Sequence, residues 1–410
     1  MKKELDIHNY GRKIEVELLG LQRSAISDRN KVLICDFKDE LIRRNLSLPR
    51  ILKYVNNLKL TALWFSKDFE LLSKADIERF VSYLHSRQDY SQHTIQAYKV
   101  MIKKMVHWIK GSVEVPPEVS WIKINFPKSK SHLPSEGDLL TEEEIKKLID
   151  AAGTVRDKAF ISVLAESGCR IGEVGTLRIS GCEFDKLGVV MCVKGKTGAR
   201  RIRIIASVPY LVNWINCHPS KNDRDAPLWA SFGNKKGEQV CYNAFKKVIK
   251  NAAKKAGITK RTNPHSFRHS RATLMAKHLT EFQMNKYFGW IQGSDMPSTY
   301  VHLSGRDLDD SILSFNGIKV EKKVEESVLK PLVCSKCDTI NTSDSKYCSK
   351  CANILDLKTV MELELKAERK EQINNKTNEL IASLLKDPEI RTVLLSKIHD
   401  MGIKKSMLDL

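Results

Sequence analysis

No run of eighteen apolar residues occurs in this 410-residue chain, so no membrane-crossing helix is expected. The first twenty residues, MKKELDIHNYGRKIEVELLG, are charged throughout and lack the apolar core of a secretory leader. Internal repeats and long low-complexity segments are absent, so the chain does not read as a repeat array. Acid is scarce: 49 Asp and Glu stand against 69 Lys and Arg, for a formal net charge of +20. A surplus of that size points to a polyanionic partner, usually nucleic acid. The scarcity is also local. Residues 186–222 and 239–280 contain no Asp or Glu, and the second stretch holds Lys246, Lys247, Lys250, Lys254, Lys255, Lys260, Arg261, Arg268, Arg271 and Lys277. Forty-odd folded residues without a counter-charge suggest a surface that meets phosphates.

What the chain does have is enough apolar content, 42%, to fill roughly two to four structural units. Residues 28–111 read as a helical unit. SKADIERFVSYLHS opens with Ser73 and Asp76 in capping-box spacing and sets Ile77, Phe80, Val81 and Leu84 on one face. SQHTIQAYKVMIKKMVHWIKG repeats the pattern at Ile95, Tyr98, Ile102, Met105 and Ile109, with Gly111 as a stop. Residues 1–27 before it are expected to be an arm-like extension. Residues 112–138, with Pro116, Pro117, Pro127 and Pro134, have a linker composition. A second, mixed but mostly α unit is expected over 139–316, opening on a Thr141–Glu144 capping box and carrying a β-hairpin around KGKTG. Residues 356–410 read as a helical tail with a break at Pro388.

Ten cysteines are present, and their distribution argues against disulfides. Cys35, Cys169, Cys182, Cys192, Cys217 and Cys241 are scattered singly, as reduced small hydrophobes usually are. Cys334, Cys337, Cys348 and Cys351 form two Cys-x-x-Cys knuckles ten residues apart, a spacing that suits one structural Zn²⁺ with four thiolates in a ribbon over 331–355. A redox dithiol pair is the alternative.

Several polar side chains of the second unit could carry chemistry. Arg170 follows a glycine expected to end a helix in ESGCRIGEVGTLR, where a guanidinium beside free amides binds an oxyanion, and Glu173 is spaced to lock it. Lys196 sits at the hairpin turn, and Arg200, Arg201 and Arg203 on the return strand read as phosphate contacts. In NPHSFRHSRATLMA, His265 and Arg268 are three apart on one helix face, while His269 and Arg271 read as pointing elsewhere. Trp290 and Tyr300 close the series.

The order Arg, hairpin Lys, His-x-x-Arg, Trp, Tyr resembles the tyrosine recombinase (phage integrase-type) family. The matching stretches are SGCRIGEVGTLR, VKGKTGARRIRI, NPHSFRHSRAT, FGW and STYVHL. The Trp290 position is often histidine in bacterial relatives. The knuckles resemble a short zinc ribbon of archaeal integrase-like proteins. The resemblance implies a mainly α protein. It has a helical, SAM-like core-binding domain and a catalytic domain that close as a clamp on double-stranded DNA, with a homotetramer on two recombination sites. It implies that Tyr300 attacks a phosphodiester to give a 3′-phosphotyrosyl link, needing neither metal nor nucleotide as a catalytic cofactor. Arg170 and Arg268 would hold the phosphate oxygens, His265 would exchange the tyrosine proton, Lys196 would protonate the leaving oxygen, and Glu173 would support the arginines. Trp290 would donate to a phosphate oxygen or pack against the tyrosine. A cytoplasmic, nucleoid-associated enzyme is expected. A type IB topoisomerase and a non-catalytic zinc-ribbon regulator are the alternative readings.

Overall fold

Serine side chains set the starts of the first helices. Ser27 and Ser91 each accept a hydrogen bond from the backbone N–H three residues on, and Ser73 forms a reciprocal capping box with Asp76. Each such cap contributes about 1 kcal/mol. The structure is a computed structural model and describes residues 5–125, 135–195, 197–233, 236–303, 312–313, 315–317 and 327–400. Five helices are Tyr10–Gln22 (α1), Asp28–Arg43 (α2), Leu48–Phe65 (α3), Lys74–Ser86 (α4) and Gln92–Lys110 (α5). They share one apolar core, to which α4 gives Ile77, Phe80, Val81 and Leu84, and α5 gives Ile95, Tyr98, Ile102 and Met105.

Two departures from the sequence reading occur here. The expected N-terminal arm is instead a helix: α1 packs on α3 and buries Ile14 and Leu21 in the same core. Only two of its positions are buried, and apolar Val16 and Leu19 lie on its exposed face, so no clean one-sided pattern stands out. The proline-rich segment also begins by packing back, since Pro117–Ser120 (α6) delivers Val119, and Ile122 follows it into the core. Residues 126–134 lie outside the described residues.

A second core follows, built around Val155–Ser167 (α8). This helix is apolar nearly all round, with residues 159–165 buried in unbroken succession, as a central core helix must be. Around it lie Glu142–Ala151 (α7), Ile171–Gly175 (α9), Val208–Asn216 (α10), Tyr242–Lys255 (α11), Pro264–Ala276 (α12), Glu281–Phe288 (α13) and Met296–Leu303 (α14). The Thr141–Glu144 capping box opens α7. The hairpin gains a third strand. Cys182–Asp185 (β1), Gly188–Gly195 (β2) and Gly198–Ile204 (β3) form an antiparallel sheet in that order, with Val193 opposite Arg200 and Gly195 opposite Gly198. Val189, Met191 and Val193 face the core with Ile202 and Ile204. Two buried indoles find backbone acceptors, Trp214 on Leu228 O and Trp229 on Val174 O.

The N-terminal residues tie the two cores together. Ile7 is 2% exposed within the second core, and its carbonyl accepts from the Tyr242 N–H.

The cysteine segment pairs Leu332–Val333 (β4) with Ile340–Asn341 (β5). It docks on the second core through Leu329 and Ile340, and through a Lys146–Asp344 ion pair of 2.8 Å. The tail forms Leu357–Leu384 (α15) and Pro388–Asp400 (α16), broken at the expected proline. Among the described residues no helix is long and apolar enough to cross a membrane.

Candidate active site

α8 ends at Gly168, and Arg170 N-caps the short α9. Glu173, one turn along, folds back: one carboxylate oxygen accepts the Arg170 N–H at 2.9 Å and the other accepts from its Nη1 at 3.1 Å. Glu173 is 4% exposed. Burial favours its neutral form, but the hydrogen bonds and charge of Arg200, with those of Arg170, outweigh this and hold its pKa below the usual carboxylate value. The β2 end can come this close because residue 195 is glycine; a Cβ there would lie 2.3 Å from a Glu173 oxygen.

Arg200 is largely withdrawn from solvent. On β3 it alternates with Arg201 and Arg203 and shares the inward face with Ile202 and Ile204. Its guanidinium donates to both Glu173 oxygens, at 2.9 and 2.7 Å, and its Nε donates to Tyr287 O. Its side chain is 9% exposed. The expected phosphate contact is therefore corrected: Arg200 is a buried cross-link between β3, α9 and α13. Arg201 and Arg203 point outward and pair with Glu183 and Asp185 of β1.

α12 starts at Asn263, whose side-chain oxygen accepts from the N–H groups of His265 and Ser266. Arg268, three residues on from His265, is 5% exposed. It donates to Gly168 O at 3.0 Å and Phe288 O at 2.7 Å, and its guanidinium lies over the Phe288 and Trp290 rings. Burial, then the neighbouring Arg170 charge, lowers its pKa to about 10, so it stays protonated at neutral pH. Arg170, Glu173, His265 and Arg268 line one open cleft of about 1300 Å³, together with Lys194 and Gly195 of β2. The same cleft is bordered by Leu5 and His8 from the N-terminal strap.

Tyr300 stands outside that set. It is 1% exposed, in a small core of α12, α13 and α14 residues. Its ring stacks on Trp290 with centroids 5.4 Å apart and planes 3° from parallel. Its hydroxyl pairs with Nδ1 of His269 at 2.7 Å. This corrects two expectations. His269 does not point elsewhere; it lies one helical turn beyond His265, with ring centroids 6.5 Å apart. And in this state the phenol meets His269, not His265. The i, i+4 spacing held the signal. Of the two roles expected of Trp290, the geometry shows the packing contact. Burial pushes the Tyr300 pKa up against the opposing charge of Arg268.

Residues 138–306 match the phage integrase family. The chain is 26% identical to tyrosine recombinase XerD of Oceanobacillus iheyensis over 281 residues, which span 66% of this chain and 89% of that protein. It is 30% identical to tyrosine recombinase XerA of Pyrococcus furiosus over 155 residues, 37% of this chain and 52% of that one. Residues 138–306 thus carry a domain of the phage integrase family. Its fold resembles that of XerH site-specific recombinase solved on its difH substrate in a pre-cleavage complex, with a TM-score of 0.51, 20% identity and coverage of 77% of this chain and 99% of that one.

Lys196 lies outside the described residues. Gly195 lines the cleft, and the Thr197 hydroxyl donates to Gly289 O at 3.1 Å. Lys194, also in the cleft, was not singled out from sequence. It is an outward residue on β2 amid many lysines, and nothing in its spacing marks it.

The four expected thiols converge. The Sγ atoms of Cys334, Cys337, Cys348 and Cys351 lie within 4.8 Å of one another. The two knuckles share one backbone geometry. Cys334 O accepts from the Asp338 N–H and Cys348 O from the Ala352 N–H, with Asp338 at φ 53 and Ala352 at φ 57. Two superposable turns that aim four sulfurs at one point fit a tetrahedral metal.

The histidines predict a pH dependence. His265 and His269 both have pKa values below 6.5, through burial first and then neighbouring positive groups; His8, His85 and His218 are also lowered, chiefly by burial. Just below that pH the unfolded chain binds more protons than the folded one, so stability falls as pH falls. The urea midpoint should be lower at about pH 5.5 than at about pH 7.5. Replacing His265 and His269 by asparagine should narrow that gap; an unchanged gap would contradict the assignment.

Proposed function

We propose that this recombinase cuts and rejoins double-stranded DNA at specific sites through a 3′-phosphotyrosyl intermediate on Tyr300. The observation that supports this most is the cleft: Arg170 and Arg268 arrive from separate elements and line it with His265, while Tyr300 stands two stacked contacts away through Trp290. A phosphodiester in that cleft presents its non-bridging oxygens to Arg170 and Arg268, where planar donors stabilise the charge of the transition state. Arg268 is already partly engaged by carbonyls, which orients it. The Glu173–Arg200 pair fixes Arg170 from behind.

The Tyr300 oxygen attacks phosphorus, the P–O5′ bond breaks, and the freed 5′ oxygen takes a proton from Lys196. His265 exchanges the phenolic proton as the phenol reaches the cleft. A 5′-hydroxyl from a partner strand then reverses the step. The bond energy is retained in the covalent link, so no nucleotide is consumed. Before chemistry, Tyr300 must leave its buried position. The segment joining α13 to α14 contains Gly289 and Gly293, both at positive φ, where a pivot meets little steric resistance.

Exchange between two duplexes breaks four strands, one nucleophile each, so we propose a homotetramer on two sites. Arg201 and Arg203 stay as phosphate contacts on the outer face of the sheet. The helical unit over residues 28–111 is proposed as the second jaw on DNA, and 139–316 as the catalytic domain. A nicked suicide substrate should trap a complex stable to denaturing electrophoresis. Its absence, with DNA binding intact, would favour the regulator reading; relaxation of supercoiled DNA lacking paired sites would favour a topoisomerase.

We also assign a structural Zn²⁺ to Cys334, Cys337, Cys348 and Cys351. The ion would cross-link two knuckles that otherwise have little core of their own. One equivalent of zinc is expected in purified protein. Strong chelation should raise proteolytic cleavage within 327–355 while leaving the suicide-substrate complex intact; metal-free protein with a protected ribbon would remove the assignment.

A further inference from the structure

The base of the α13–α14 segment is anchored. Arg200 Nε donates to Tyr287 O, and Thr197 donates to Gly289 O. Beyond it, Gly293 at positive φ offers a pivot, and α14 packs on α12 and α13. Besides apolar packing with Ala272, Ala276, Met284 and Phe288, two contacts orient the tyrosine itself: the Trp290 stack and the 2.7 Å bond to His269. The stack is apolar and non-directional, and it could persist through a range of positions. The hydrogen bond is the directional one. A phenol at 1% exposure needs a polar partner, because leaving a buried hydroxyl unpaired costs much of what its burial gains. His269 supplies that partner, and burial, followed by the charges of His265, Arg268 and Arg261, lowers its pKa and favours the neutral ring, which can pair with the phenol in either tautomer.

We propose that His269 is a positioning residue that retains Tyr300 in its buried state, so that release of the nucleophile toward the Arg170–His265–Arg268 cleft requires breaking the His269 bond. The proposal rests on Tyr300 being the nucleophile. The geometry gives it a track. His265 and His269 are one turn apart on α12, with Arg268 between them in sequence, so a phenol leaving His269 passes along the same helix face toward the cleft. The bond makes the resting enzyme less reactive to an isolated DNA end, and it is balanced by whatever DNA and partner contacts favour the released position.

The test uses the full-length protein and reads two quantities. Nitration of Tyr300 by tetranitromethane, followed by peptide mass spectrometry, reports phenol exposure without DNA. The initial rate of complex formation on a nicked suicide substrate reports delivery. His269→Leu removes the acceptor while filling the space and should raise both by about tenfold. His269→Gln, which can still accept, should return both toward the wild-type values. His269→Ala, with no added bulk, is read in the same way should the leucine variant fold poorly. Unchanged nitration in the leucine and alanine variants would overturn the proposal. So would loss of complex formation in the leucine variant with rescue only by histidine, since His269 would then act in the chemistry rather than in retention. If the wild-type protein forms no complex at all, the nucleophile assignment fails, and nitration alone still decides whether His269 shields the phenol.

Discussion

Tyr300→Phe should reduce covalent complex formation to background, while affinity for the same DNA changes by less than about twofold. The reason is chemical. Phenylalanine keeps the ring that stacks on Trp290 within the small α12–α14 core, so the fold should persist. It removes only the oxygen. The proposed phosphate contacts come from other residues lining the cleft, and these would supply binding energy whether or not an attacking group is present. The variant does leave the His269 ring without its partner, a cost of about 1–3 kcal/mol in a half-buried site. A modest fall in the denaturation midpoint is therefore expected alongside total loss of the complex. Binding lost in proportion to activity would instead point to a structural role for the tyrosine.

Glu173→Ala should have the largest effect on stability. The carboxylate is 4% exposed and faces the side chain of Arg200, 9% exposed, in a two-pronged pair. Removing it leaves Arg200 buried and uncompensated, at a cost of about 3–5 kcal/mol. It also frees the Arg170 guanidinium and N–H, so the remaining folded protein should form the covalent complex more slowly by about two orders of magnitude. The double variant Glu173→Ala with Arg200→Met should recover part of the stability, because it removes the orphaned charge. It should not recover the rate, since Arg170 still lacks its anchor. Recovery of both would mean that Glu173 serves only Arg200.

The site was legible where its signals are local. Arg170 with Glu173, and His265 with Arg268, stand three apart, and a helix turn brings such pairs together. The thiols of the knuckles were legible for the same reason. Arg200 was misread although its signal was present: Ile202 and Ile204 share its parity on β3, and alternation alone assigns it inward. The His269 contact lies one turn beyond His265, at i+4, outside the i, i+3 pair that joins His265 to Arg268. The burial of Tyr300 could not be read at all. It depends on how α14 packs against α12 and α13, a long-range fit that no spacing encodes. The helix at residues 10–22 shows no clean periodicity, because only two side chains are buried and Val16 and Leu19 are exposed. The third strand, β1, is short, with only its first residue buried, and so lacks a visible alternation.

The central claim is that the Tyr300 oxygen becomes bonded to a DNA phosphate. Peptide mapping of the complex trapped on a suicide substrate tests it most directly: the account predicts a 3′-phosphoryl nucleotide on the peptide containing Tyr300, whereas a nucleotide on any other residue, or a 5′-phosphoryl linkage, would contradict it.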